Sequence, residues 1–263
     1  MKVLMVGDIT GRPGRRILAR FLPDLCQKHG VDFVIANGEN AAGGTGLTRA
    51  TAEEIFACGV DVITGGNHTW HHREIYELLE SHPKVLRPAN YPPGAPGRGS
   101  LVVQDRRGHR VGVINLQGRV FMQELEDPFR VGLQEVEKLR EETPLIFVDI
   151  HAEATSEKMA LAWFLDGRVS AVLGTHTHVQ TADERILPGG TAYITDVGMT
   201  GPRDGIIGME REEVIQRFLT QLPVRFQVAK GTAQLDAVLV EVDEETGKAL
   251  GIQRIHLVEG TGE

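Results

Sequence analysis

The sequence predicts an α/β fold in four layers, α/β/β/α, with two sheets packed face to face and helices outside. Three observations predict it. Apolar, β-branched runs alternate with helix-like segments. Several of these runs, VDFVIA, VDVIT and PLIFVDI, are hydrophobic without interruption, as expected of strands covered on both faces. The runs also end on carboxylates, amides or imidazoles, and polar groups outside the carboxyl ends of strands converge in open α/β sheets even when they are far apart in sequence.

Taken in order, the first strand covers 2–7 and is followed by Asp8. A helix over about 14–28, a strand at 31–36, a helix over about 50–58, a strand at 61–64 and a helix over about 72–80 continue as a βαβ series. The proline- and glycine-rich stretch RPANYPPGAPGRGS at 87–100 is a connection inside the domain. It leads to two strand-like runs around an Arg107-Gly108 turn. Helices near 128–141 and 156–166 follow, with PLIFVDI between them. The strand SAVLG and the hairpin-like ERILPGGTAYITD come next, and the chain closes on a β-hairpin turning at Thr246-Gly247. No internal repeat interrupts this order, and one domain over 1–263 is expected, a length at which a single core is still substantial.

Composition narrows the function. With 41% hydrophobic and 24% charged residues and 31 glycines, the chain reads as a globular enzyme with many tight turns. A formal net charge of -8 argues against sequence-independent nucleic-acid binding, which draws on lysine and arginine neutralising phosphates, but is compatible with a small phosphorylated ligand. Cys26 and Cys58 lie in apolar helix-like stretches and read as buried, reduced thiols. The start MKVLMVGD enters a strand within two residues, and no run of about 18 apolar residues occurs, so the expectation is a cytoplasmic protein without a membrane span. A homo-oligomer is compatible with these features.

The residues that carry chemistry are Asp8, Glu39, Asn40, Asn67, His68, His151, His176 and His178. Carboxylates, amides and imidazoles without thiols favour a hydrolytic transition-metal centre. In GTHTH, His176 and His178 are separated by one residue, so in extended backbone both rings point to one side and address neighbouring metals. Asp8 and Glu39 each follow a glycine; capping of the next helix competes for Asp8, whereas glutamate is a poor N-cap and its two oxygens suit a bridge between cations. Asn67-His68 sets a hard neutral ligand beside an imidazole able to move a proton, with turn chemistry as the competing role. His71 and His72 read as the solvated start of a helix, and His29, His82, His109 and His256 as solvated residues of their own segments. The loop AAGGTG at 41–46 reads as a set of left-handed turns, and Arg119 and Arg203 as solvated charges with a phosphate contact as the sharper alternative.

GNH and GTHTH, with acidic residues after the first two strands, resemble the calcineurin-like metallophosphoesterase superfamily. GDITGRPGR, ANGENAAGGTG, GGNHTW, NLQGRVFM, DIHAEATSEK, GTHTHVQTAD and YITDVGMTGP are similar more specifically to the YmdB-type family, bacterial phosphodiesterases associated with 2′,3′-cyclic nucleotides. The resemblance implies two metal ions, iron or manganese with zinc as a further option. Asp8, Glu39, Asn40 and His178 would hold one, and Glu39, Asn67, His151 and His176 the other. Thr10 stands where the broader superfamily has a histidine, and Glu39-Asn40 where it has a bridging aspartate. It also implies in-line attack of a metal-activated water on a small phosphodiester, with His68 as the proton-transferring residue. The alternatives are a phosphomonoesterase or nucleotidase with the same site, and a regulatory nucleotide- or partner-binding protein with little turnover.

Overall fold

The computed structural model describes residues 1–260; the last three residues of the expected domain lie outside the described ones. In chain order the elements are β1 (Lys2–Val6), β2 (Asp8–Ile9), α1 (Gly11–His29), β3 (Phe33–Asn37), α2 (Arg49–Ala57), β4 (Val62–Thr64), α3 (Ile75–Ser81), β5 (Ser100–Gln104), β6 (Arg110–Gln117), α4 (Pro128–Arg140), β7 (Ile146–His151), α5 (Thr155–Phe164), β8 (Ala171–Thr175), β9 (Arg185–Ile186), β10 (Ala192–Ile194), β11 (Met199–Pro202), α6 (Arg211–Thr220), β12 (Ala233–Val242) and β13 (Ala249–Val258).

Two sheets form. The first has the order β2-β11-β12-β1-β3-β4 with β13 paired to β12, and the second the order β5-β6-β7-β8-β10-β9. Strands β1, β3 and β4 are parallel, as are β6, β7 and β8, so in each sheet these carboxyl ends emerge on the same edge. The apolar runs separate into layers by the two-residue alternation of a strand. Val3 and Met5 of β1 join Phe33, Ile35, Phe147, Leu173 and Ile194 in the core between the sheets. Their neighbours Leu4 and Val6 pack outward with Ile17, Leu18 and Leu22 of α1 and Ile55 of α2. On the opposite outer face Ile146, Val148 and Val172 meet Val136 and Leu139 of α4 and Leu161 of α5. Each of these wholly buried side chains contributes roughly 1.5–3 kcal/mol. The result is the expected four-layer α/β/β/α sandwich.

Local chemistry sets the helix ends. Gly30 takes the left-handed conformation after α1 and donates to the Cys26 carbonyl, with Lys28 and His29 in the last turn against the helix dipole. A reciprocal box between Thr48 and Thr51 caps α2, and Asp127 caps α4 with Pro128 in its first turn. Three elements were not anticipated: β2, β11 and α6. The two-residue β2 is held parallel to β11 through Asp8–Met199 and Ile9–Thr200 pairs. His71 and His72 are corrected as well, since α3 begins only at Ile75. His72 Nε2 lies 2.9 Å from the Thr45 carbonyl, which ties that turn to the 41–46 loop, where Gly43, Gly44 and Gly46 do adopt positive φ. Of the other histidines, His82 stacks on Phe56, and His109 and His256 pair with Asp105 and Asp236 rather than with solvent alone.

Candidate metal centre

The parallel strands deliver their polar ends to one place. Asp8 leaves β1, Glu39 and Asn40 follow β3, Asn67 and His68 follow β4, His151 ends β7, and His176 and His178 follow β8. Asp8, Glu39, Asn40, His151 and His178 are buried, and His68 and His176 are half-buried.

One cluster is tight. His151 Nε2 lies 3.0 Å from Asn67 Oδ1, 3.1 Å from His176 Nδ1 and 3.2 Å from Glu39 Oε1. The ligand atoms of Glu39, His151 and His176 all lie within 4.8 Å of one another. Gly66 makes room for this packing: a Cβ there would overlap Glu39 Oε2 and the His151 ring. The second grouping is looser. His178 Nε2 is 3.7 Å from Asp8 Oδ1 and 3.1 Å from the Asn40 amide nitrogen, while Asn40 Oδ1 faces His68 Nδ1 at 2.7 Å. The amide of Asn40 therefore turns its nitrogen, not its oxygen, toward His178, and a flip of the amide would exchange the two.

GTHTH is not extended, which corrects the expectation that both rings share one side. β8 ends at Thr175, and His176 and His178 have φ of 98° and 65°. The two rings separate as a left-handed turn directs them, His176 toward His151 and His178 toward Asp8. Helix capping by Asp8 is also not what forms: Thr10 is the N-cap residue of α1, with no side-chain cap bond, and Asp8 Oδ2 accepts the His176 N–H at 3.1 Å.

Electrostatics follow from burial. Burial pushes the Asp8 carboxyl up to about 6, against the pull of His178 and His151. Glu39 is equally buried, but His151 and His68 outweigh that penalty and hold it well below the usual carboxylate range. Burial alone would depress His151, yet Glu39, Asp8 and Asp149 raise it to about 9. Burial and the facing His151 press His176 down to about 3.

A cation fits this donor set. Asp8 Oδ1 and Glu39 Oε1 are buried side-chain oxygens without a hydrogen-bond partner, a costly condition for an anion. A single proton on His151 Nε2 can serve only one of the three acceptors crowded around it, whereas a cation satisfies all of them together with the nitrogen. His68 stands beside the cluster. Its backbone N–H donates to Glu39 Oε2 at 2.9 Å, and its Nδ1 lies between Asn40 Oδ1 and Glu39 Oε1, which leaves Nε2 for exchange with a ligand.

Several contributors escaped sequence reasoning. Glu153 Oε2 lies 3.1 Å from His176 Nε2, and Glu157 accepts the backbone N–H groups of Arg119 and Val120 at the loop beside His151. Both lie in DIHAEATSEK, whose family likeness was the only available signal. Arg119 pairs with Asp127 at 3.5 Å, Arg203 is exposed, and neither contacts the cluster.

Comparison with known proteins agrees with this fold. Residues 4–255 match the profile of the YmdB-like protein family. A Bacillus subtilis protein named 2′,3′-cyclic-nucleotide 2′-phosphodiesterase is 53% identical over 255 residues, covering 97% of this chain and 96% of its own. A crystal structure described as a hypothetical protein from Thermus thermophilus superposes with a TM-score of 0.92 at 47% identity, covering 98% of this chain and all of the other. A Mycoplasma pneumoniae structure described as a novel phosphatase also gives 0.92, at 37% identity over 98% of this chain and 93% of the other.

Proposed function

The chain belongs to the YmdB-like family, and on that premise we propose that it is a metal-dependent phosphodiesterase hydrolysing 2′,3′-cyclic nucleotides and comparable small phosphodiesters. The observation that carries the reading is the convergence of Glu39 Oε1, Asn67 Oδ1 and His176 Nδ1 on His151 Nε2, beside a buried Asp8 Oδ1 without a hydrogen-bond partner.

Glu39, Asn67, His151 and His176 would hold one ion, and Asp8, Glu39, Asn40 and His178 a second, with Glu39 shared. Nitrogen and oxygen donors without thiolate suit iron or manganese, and tolerate zinc. Bound there, such ions supply a water nucleophile at neutral pH and offset the negative charge at phosphorus.

The chain's own residues orient and protonate. Asn40 Oδ1 accepts from His68 Nδ1 with Glu39 Oε1 beside it, so Nδ1 keeps its proton and the ring exchanges a second one through Nε2. In the proposed reaction water adds to phosphorus and gives up a proton to solvent, the bond to O2′ breaks, and O2′ takes a proton from His68, which regains one from solvent, leaving a nucleoside 3′-phosphate. The position of cleavage follows the name of the Bacillus subtilis relative. Among the described residues no helix is long and apolar enough to cross a membrane, and Cys26 and Cys58 are free thiols; both features support placing the enzyme in the cytoplasm.

The test is elemental analysis of untagged protein, with hydrolysis of 2′,3′-cyclic AMP, bis-p-nitrophenyl phosphate and 3′-AMP measured with and without added manganese. About two metals per chain and metal-dependent cleavage of the diesters support the proposal. Release of phosphate from 3′-AMP alone would make the enzyme a monoesterase, and no turnover after reconstitution would favour a regulatory binding protein.

A further inference from the structure

Beneath the candidate metal cluster, between the two sheets, lies a buried carboxylate that the proposed reaction does not use. Asp149 is in β7, two residues before His151. Its Oδ1 accepts the Thr175 hydroxyl at 2.7 Å, and its Oδ2 accepts the Asn37 amide at 3.1 Å and the Thr64 hydroxyl. Asn37 and Thr64 end strands of the first sheet, and Thr175 ends β8 of the second, so one side chain gathers donors from both sheets. Three donors on two oxygens match an ionised, acceptor-only carboxylate.

The direction of these bonds decides the state of a neighbour. The Thr175 hydroxyl has one proton. When Asp149 takes it, the same oxygen can only accept from His151 Nδ1, which lies 2.9 Å away. Asn37 Nδ2 is also 3.4 Å from His151 Nδ1, but its two protons are directed to Gly65 O and Asp149 Oδ2, both at 3.1 Å.

We propose that Asp149, acting through the Thr175 hydroxyl, is a positioning group that fixes the His151 proton on Nδ1 and presents Nε2 as the lone pair to the cation site. This role rests on His151 being a metal ligand. Partners of this kind set the tautomer and ring orientation of a ligating histidine, and their loss typically reduces metal affinity 10–100-fold. The carboxylate reaches the imidazole through a hydroxyl here, rather than touching it.

The test uses zinc, which is diamagnetic, on full-length protein. Zinc affinity is measured by competition with a chromophoric chelator for wild type, Thr175→Val, Thr175→Ser, Asp149→Asn and His151→Ala. The ring N–H signals of the zinc-loaded, ¹⁵N-histidine-labelled protein are recorded alongside. In wild type, one slowly exchanging ring N–H at His151 Nδ1 is expected. Thr175→Val should weaken uptake of one zinc ion about 10–100-fold and lose or shift that signal. Thr175→Ser, which keeps the hydroxyl, should restore both, and a general loss of stability would not produce this pattern. If Thr175→Val fails to fold, Asp149→Asn carries the test, with weakened zinc binding and a shifted signal expected. Wild-type zinc affinity in Thr175→Val or in Asp149→Asn while His151→Ala binds poorly would overturn the relay alone. So would a Thr175→Ser variant as weak as Thr175→Val. Wild-type affinity in His151→Ala would overturn the ligand assignment, and the relay with it.

Discussion

Lys158 donates to Asp196 at 2.8 Å with both side chains wholly buried, and the same Asp196 oxygen accepts the backbone N–H and hydroxyl of Thr177 at 3.0 and 2.6 Å. Thr177 is the residue between the two candidate histidine ligands of the left-handed turn. A buried ion pair thus clamps a segment whose backbone conformation is unfavourable for side-chain-bearing residues, at a cost of order 1–3 kcal/mol per residue.

Lys158→Met keeps the volume and removes the cation, leaving Asp196 uncompensated. The expected loss is about 3–5 kcal/mol of stability, measured by urea unfolding of the metal-free protein. An unchanged unfolding midpoint would mean that the pair does not stabilise the turn.

Gly66→Ala should abolish metal binding with little effect on secondary structure, because the added carbon competes for space with Glu39 and the His151 ring. Elemental analysis beside far-ultraviolet circular dichroism separates the two effects. A metal-replete Gly66→Ala protein would show that the cluster yields more readily than its packing suggests.

His68→Ala should retain metal and lose about 10²–10⁴-fold in turnover, the usual contribution of a positioned proton donor. Activity on bis-p-nitrophenyl phosphate should fall less, since its leaving group needs no proton. Equal losses on both substrates would assign His68 a binding role instead.

Asp105 gives a pH dependence independent of the metals. Burial disfavours its charge, but bonds from the His109 ring, at 2.9 Å, and from the His109 and Arg107 backbone N–H groups, each at 2.8 Å, hold it below the usual carboxylate range. A depressed folded-state value stabilises above the unfolded value of about 3.9 and is lost as pH falls through the folded one. Asp105→Asn should therefore be less stable than wild type at pH 7, with the gap closing below about pH 4. Denaturant titrations across that range check it, and a gap independent of pH would contradict the assignment.

Strand positions and candidate site residues were legible in different ways. Continuous apolar runs marked β1, β3, β4, β7 and β8 because strands covered on both faces leave no polar alternation to confuse them. The residues at their ends could then be assigned to one edge. The short β2 and β11 carry no such signal, since β2 exists only by pairing with β11, and β11 by pairing with β2 and β12. The apolar run SAVLG placed His176 and His178 at a strand end, but not the direction of their rings: the turn is left-handed, and Asp196 and Lys158, which hold it, are remote in sequence. Gly66 and Thr175 are equally silent, because a missing Cβ and a hydroxyl acquire meaning only from the atoms facing them.

The hairpin of β12 and β13 has a consequence for how the protein is made. β12 pairs with β1 in the register Lys2–Glu241 to Val6–Ala237, and also with β11, which in turn holds β2 and Asp8. A nascent chain that has emerged as far as His178 carries all the candidate ligands but lacks the strands that seat Asp8. Contacts of such long sequence separation form late and slowly. On the proposed metal assignment, the cluster that includes Asp8 is expected to be complete only after β12 has joined the first sheet.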